Sequence, residues 1–279
     1  MIARVDALWM YPIKGCRGFS TPAATLAPTG LELDGIGDRE WVVVDDQGEF
    51  LSQRELPKMS QIQTRLTGES LRVTAPGMLQ LDVPFESEGD VIDVRVWNDK
   101  VAAVTQGVIA DAWFSQFLGL RCRLVRFDPE ASRVSNSKYT GKLIAPYKFA
   151  DAFALLVCSA VSLAELNGRL GAKGHAPVTI ERFRPNIVLD EVEAFDEDYV
   201  DYFTIGDAKL RVVKPCVRCT VPNVDSSTGE AGFEPGDTLA SYRNDVRAGG
   251  VTFGVNAVIE SGAGVPVVVG DAVDLSLRF

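Results

Sequence analysis

Short apolar runs dominate the chain, and most have the period of a strand. Over residues 91–97, Ile92, Val94 and Val96 fall on one face while Asp93 and Arg95 take the other, the period-two alternation of a half-buried strand. Trp41-Val42-Val43-Val44 is a continuous apolar run ending in Asp45-Asp46-Gln47-Gly48, which predicts a buried strand entering a hairpin turn. Residues 210–213, Ile187-Val188-Leu189 and residues 264–277 also read as strands. Helical spacing is rarer. Ile109, Trp113 and Phe117 recur every fourth position beside Ala110, Phe114 and Leu118, predicting a helix over about 108–118 that Gly119 stops. Ser162 and Glu165 have the spacing of a capping box, and Leu163, Leu166 and Leu170 carry that helix to Gly171. A third short helix is expected from Asp237, with Leu239, Tyr242 and Val246 on its apolar face.

Many short strands with few helices predict a mainly β (α+β) chain of two linked β-barrel-like domains. Between 127 and 150 the composition turns polar and turn-forming (Asp128-Pro129, Ser135-Asn136-Ser137, Gly141, Pro146). The expected division is therefore 1–126, a linker over 127–150, and 151–279. With 279 residues, 46% of them hydrophobic, there is ample material for a core. The balance of 28 basic against 38 acidic residues gives a net charge of −10, so neither a nucleic-acid footprint nor a polybasic membrane surface is expected. Any basic cluster is then local and calls for a reason. The first residues lack the features of a signal peptide, and nothing approaches the ~20 apolar residues of a membrane span, so a soluble cytoplasmic protein is expected. The five cysteines are an odd number in a chain that needs no staples, which makes a disulfide framework improbable.

Candidate chemistry gathers at strand ends. Lys214-Pro215-Cys216-Val217-Arg218-Cys219 places two thiols where a strand gives way to a loop, beside basic groups that favour the thiolate a transition metal binds. A single C-x-x-C also fits part of a zinc site, a thioredoxin-type couple or two buried apolar cysteines. Zinc lacks a second paired spacing, the redox couple lacks its following helix, and the flanking cations count against simple burial. Lys14-Gly15-Cys16-Arg17-Gly18 is a glycine-punctuated basic turn able to hold a phosphate or to stand as an ordinary hairpin. Asp38-Arg39-Glu40-Trp41 puts an arginine at the mouth of a buried strand, where a plain ion pair is the simpler reading. In Arg182-Phe183-Arg184-Pro185-Asn186 the proline biases Arg184 toward an extended backbone, and the guanidinium matches phosphate or carboxylate. Four basic turns at strand ends of an acidic chain suggest a phosphate-bearing ligand near a metal-binding thiolate. His175, the only histidine, lies in a glycine-flanked loop and reads as solvated.

Taken in order, Tyr11-Pro12-Ile13-Lys14-Gly15, Gly37-Asp38-Arg39-Glu40-Trp41, Phe183-Arg184-Pro185-Asn186-Ile187, Cys216-Val217-Arg218-Cys219 and the stretch 225–229 resemble the signature of MOSC proteins that carry an N-terminal MOSC β-barrel. The amidoxime-reducing molybdenum enzymes are the most similar type. The resemblance implies that the two expected domains are a MOSC N-terminal β-barrel and a MOSC domain. It implies molybdenum cofactor (Mo-molybdopterin), with Cys219 as metal ligand and catalytic residue. Lys14, Gly15, Arg39, Arg184, Asn186 and Arg218 would bind the cofactor, while Cys216 aligns with a non-ligand position and Arg182, with no firm counterpart in the pattern, stays outside the clamp. A serine often follows the lysine of the first motif, and Gly15 leaves only a backbone N–H there. The implied reaction is reduction of N-hydroxylated compounds (amidoximes, hydroxylamines, N-hydroxylated bases). With two of the five cysteines already taken by the Cys216/Cys219 pair, no set of four is left for an iron–sulfur cluster, so electrons are expected from an external flavoprotein, ferredoxin or haem protein. The rival expectation is a non-catalytic carrier of sulfur or of the cofactor.

Overall fold

Seven strands close on themselves into a barrel in the computed structural model, which describes residues 1–86 and 88–278. Going round, they are Leu155–Ser159, Ile187–Asp190, Ile2–Met10, Ala272–Leu277, Val200–Ile205, Ala208–Val217 and Gly250–Ser261, the last pairing back onto the first. All neighbours are antiparallel except Leu155–Ser159 with Ile187–Asp190. A parallel pair needs a long crossover, and the Ala160–Ala172 helix supplies it. The barrel interior holds Val5, Leu8, Leu155, Ile187, Phe203, Leu210 and Val255, each no more than 1% exposed. Burial of each such side chain contributes roughly 1.5–3 kcal/mol. The first strand of the chain is thus a stave of the barrel that the last half builds.

The second body is a curled four-stranded sheet, Val91–Val96, Asp99–Thr105, Cys122–Phe127 and Trp41–Asp45 in that order, with a three-stranded sheet (Gln63–Leu66, Ser70–Thr74, Leu81–Pro84) beside it. Trp41, Val42, Val43 and Val44 are fully buried, as the continuous run predicts. Asp45 forms the expected turn, its carboxylate accepting from the N–H groups of Gln47 and Glu49. The mainly β class with barrel-like bodies agrees with the pattern of short strands. The segment 127–150 carries a single helical turn, Ser137–Thr140, and runs between the two cores: Phe149 packs with Val42 and Val44, Tyr147 with the barrel.

Three helix expectations change in detail. The Val108–Leu118 helix ends at Gly119 as predicted, but Ile109 is exposed, because Ala110, Trp113, Phe114 and Phe117 make the buried stripe. The second helix starts earlier than its capping box implies. Ser159 is the cap, accepting from the N–H groups of Val161 and Ser162, and Ser162 turns inward onto Glu197. The third is only Gly236–Ala240, and Val246 is exposed because Asn244–Asp245 turns out to pair with the start of Gly250–Ser261. Among the described residues no helix is long and apolar enough to cross a membrane.

Candidate functional site

A cavity of about 300 Å³ opens between the barrel and the curled sheet. Its wall includes Lys14, Gly15, Arg39, Arg184, Asn186, Arg218 and Cys219, drawn from four separate stretches of the chain. Lys14 and Gly15 follow the Ile2–Met10 strand, pinned where Lys14 N donates to Trp41 O at 2.8 Å. Gly15 has φ +83°, a conformation that favours glycine, and a Cβ there would lie 2.9 Å from Met59 Cε. Among the described residues nothing accepts its N–H. The Lys14 ammonium is buried and paired with Asp151, which also accepts from Trp97 Nε1 at 3.1 Å. Burial pulls the Lys14 pKa below the usual lysine range, with the Asp151 carboxylate opposing.

Arg39 and Arg184 both sit in the left-handed region, at φ 50° and 59°, so Arg184 is not extended as the following proline predicted: it closes the Ile180–Phe183 turn instead. Arg39 ion-pairs with Asp38 and donates from Nη2 to Arg184 O at 2.9 Å, while Arg184 Nη1 donates to Cys16 O at 2.5 Å. Their guanidiniums lie 4.5 and 4.4 Å from the centroid of one ring, Tyr11. Among the described residues Arg184 has no carboxylate partner. Burial, and then the neighbouring Arg39 charge, lower its pKa. Asn186 is buried and bridges strands, its Oδ1 accepting from Leu156 N at 3.1 Å and its Nδ2 donating to Trp9 O at 3.4 Å. Arg218 donates to Cys216 Sγ at 3.1 Å and to Phe183 O at 2.8 Å, and its buried Nε has no partner among the described residues.

The five thiols divide sharply. Cys16, Cys122 and Cys158 are buried, and burial pushes Cys16 up to about 12 and Cys122 to about 11, with Cys158 also well above the usual thiol. Cys216 is half-buried against Arg218. Cys219 is exposed on the loop after the Ala208–Val217 strand, and no described residue hydrogen-bonds its sulfur. Among the described residues no group of three or more His, Cys, Asp or Glu is arranged to hold a metal ion.

The family model for the MOSC N-terminal beta barrel domain matches residues 2–121, and that for the MOSC domain matches residues 145–274. Mitochondrial amidoxime reducing component 2 of Bos taurus is 34% identical over 248 residues, covering 87% of this chain and 73% of that protein. The chain belongs to the amidoxime-reducing component family of MOSC proteins. Mitochondrial amidoxime-reducing component 1 of Homo sapiens is 32% identical, covering 87% of this chain and 72% of its own length. Molybdenum cofactor sulfurase of Danio rerio is 30% identical, covering 89% of this chain but 31% of that protein.

Several residues of this MOSC cavity carry no sequence signal of their own. Asp151 holds Lys14, yet it stands in a stretch marked only as the start of the second half. Tyr11 is part of the first motif, but nothing in the motif shows that its ring stacks under two arginines. Trp97, Phe50 and Arg54 join the wall from the curled sheet and its loops, Arg54 lying 4.3 Å over the Trp97 ring. Arg182 lies outside this cavity, paired with Asp225 at 2.7 Å, and His175 stands 3.5 Å from Glu234.

Proposed function

We propose that this MOSC protein holds molybdenum cofactor in the cavity and reduces N-hydroxylated compounds. These are amidoximes, named in its relatives, and by the same N–O chemistry hydroxylamines and N-hydroxylated bases. The observation that carries the reading is the convergence of Lys14, Arg39, Arg184 and Arg218 on one cavity with an exposed thiol, Cys219, in a chain of net charge −10. The residues fit the group. A phosphate-bearing pterin needs an anion clamp, and Arg184, without a carboxylate partner, and Arg218, with Nε unpartnered, retain donors for one. Its metal needs one soft protein ligand, and Cys219 is the accessible thiol that could supply it.

In this reading Cys219 ligates the metal, Lys14 and the Gly15 N–H hold phosphate, and Arg39, Arg184, Asn186 and Arg218 orient the pterin. When bound, the cofactor supplies the two-electron, two-proton cleavage of the substrate N–O bond, with the oxygen leaving as water. The chain supplies position and charge. The Tyr11 ring fixes two guanidiniums before any ligand arrives, so less ordering is left for binding. Phe50, Trp97 and Phe153 give the cavity apolar wall that keeps water from the bound substrate. Electrons come from a separate flavoprotein, ferredoxin or haem protein.

A second reading rests on the exposure of Cys219. A thiol that other proteins can reach suits a carrier of sulfur or of the cofactor, and a sulfurase stands among the relatives. Molybdenum and pterin content, measured on protein from a cofactor-producing host beside Cys219→Ser, separates the two when paired with amidoxime reduction. Near-stoichiometric molybdenum with turnover that Cys219→Ser abolishes is the expected result. Bound cofactor without turnover of any N-hydroxylated compound favours the cofactor carrier, and absence of molybdenum and pterin overturns both the reductase and the cofactor carrier and leaves only the sulfur carrier.

A further inference from the structure

Lys214 lines the cavity but has no task in the clamp described above. Its ammonium lies 4.8 Å from the centroid of Tyr139 and 5.8 Å from that of Phe153. The two rings meet edge to face, 5.8 Å apart and inclined by 84°. Among the described residues no carboxylate lies within ion-pairing distance of it, whereas Lys14 has Asp151 and Lys148 has Glu40. Aromatic faces attract an ammonium without neutralising it and without using its three N–H donors. An unpaired lysine held in place inside a cavity, in a chain with a ten-charge acidic excess, is a counter-charge waiting for an anion.

The second observation is across the barrel wall. Lys214, at an irregularity in the Ala208–Val217 strand, stands opposite Asn256 of Gly250–Ser261. Asn256 also lines the cavity, and its side-chain amide makes no hydrogen bond among the described residues. Two neighbouring strands therefore offer a fixed cation and a free amide donor to the same space.

We propose that Lys214 and Asn256 form a subsite for a carboxylate on the substrate, so that N-hydroxylated acids are preferred over neutral N-hydroxylated compounds. The ammonium supplies the charge-assisted hydrogen bond and the Asn256 amide a second donor. This rests on the proposed reductase function. It differs from a role in the cofactor clamp, because there loss of the lysine lowers cofactor content.

The test uses the molybdenum-loaded protein with benzamidoxime and its 4-carboxy analogue, reduced with an artificial electron donor, beside Lys214→Met, Lys214→Arg and Asn256→Ala. Wild type is expected to favour the acid in kcat/KM. Lys214→Met narrows that preference about tenfold or more, mainly through KM, while Lys214→Arg keeps most of it and molybdenum content stays at the wild-type level in all three variants. Calorimetric titration of the same two compounds gives a readout independent of turnover, with the same tenfold narrowing. Equal preference in wild type and Lys214→Met, or no preference for the acid in wild type, overturns the subsite. Loss of molybdenum in Lys214→Met also overturns it, by moving the lysine to the cofactor. If neither compound is reduced by the loaded wild type, the reductase reading falls, and the calorimetric difference alone then decides whether the carboxylate subsite stands.

Discussion

Tyr11 carries two guanidiniums on its ring, and each belongs to an arginine in a backbone conformation that L residues seldom adopt. Such a conformation costs about 1–3 kcal/mol per residue and persists only where its surroundings hold it. Here the hold is specific: Arg39 donates to the Arg184 carbonyl, Arg184 donates to the Cys16 carbonyl, and the ring spaces both side chains. The Tyr11 hydroxyl takes no part, since it is buried without a partner among the described residues, and burial drives its pKa far above the usual phenol. The ring and the hydroxyl therefore separate by mutation. Tyr11→Phe should leave the unfolding free energy unchanged or raise it by about 1–3 kcal/mol, and leave cofactor content unchanged, because a buried hydroxyl without a partner costs its desolvation. Tyr11→Leu should cost about 2–4 kcal/mol and lower molybdenum content, since it deletes buried ring and both cation–π contacts. Cofactor loss in Tyr11→Phe would reverse the assignment and make the hydroxyl the contact.

At the scale of elements, the Ala160–Ala172 helix is tied to the Asp196–Tyr199 turn by one buried carboxyl. Both Glu197 oxygens lie within 2.9 Å of Ser162 Oγ, which also accepts from Phe195 N. A single hydroxyl proton serves one of those oxygens, and the other is satisfied if the carboxyl itself is protonated. Burial accordingly pushes Glu197 up to about 7, against the Ser162 hydrogen bond. A raised acid means the folded state holds its proton after the unfolded chain, near 4.5, has lost it. Stability from this group is full below pH 4.5 and declines as pH rises toward 7, by roughly 3 kcal/mol at most. Glu197→Gln should therefore gain on wild type as pH is raised from 5 to 8 in parallel urea titrations; a constant difference would show that the carboxyl is already ionised. Neither this link nor the true cap was legible in the chain. Ser159 and Ser162 are the same residue type three positions apart, and only the end of the preceding strand decides which one caps. Strands and the Val108–Leu118 helix were legible because their alternation is local, but the outward turn of Ile109 depends on what packs beside it.

Across the whole molecule, what a linear pattern could not show is how the ends interleave. Ile2–Met10 pairs with Ile187–Asp190, about two thirds of the chain away, and with Ala272–Leu277, nearly its whole length away, and periodicity says nothing about such partners. The motifs that resemble the MOSC signature were legible as residue types at strand ends; four of the five meet in one cavity as a consequence of this interleaving, while the stretch 225–229 lies outside it. Ion pairs stitch the same seam: Lys14 to Asp151, Arg17 to Glu181, Lys148 to Glu40. With the first strand in the barrel and the cavity walled from both sides, the two bodies should unfold together. Cofactor that binds the folded chain alone stabilises it by RT ln(1 + [L]/Kd), about 2.7 kcal/mol at a hundredfold excess over Kd. Calorimetry should then show one transition in both forms, with the molybdenum-loaded protein melting several degrees above protein made in a host that lacks the cofactor. Two transitions, of which only one moves on loading, would mean that the bodies unfold separately and that the cofactor is held by one of them alone.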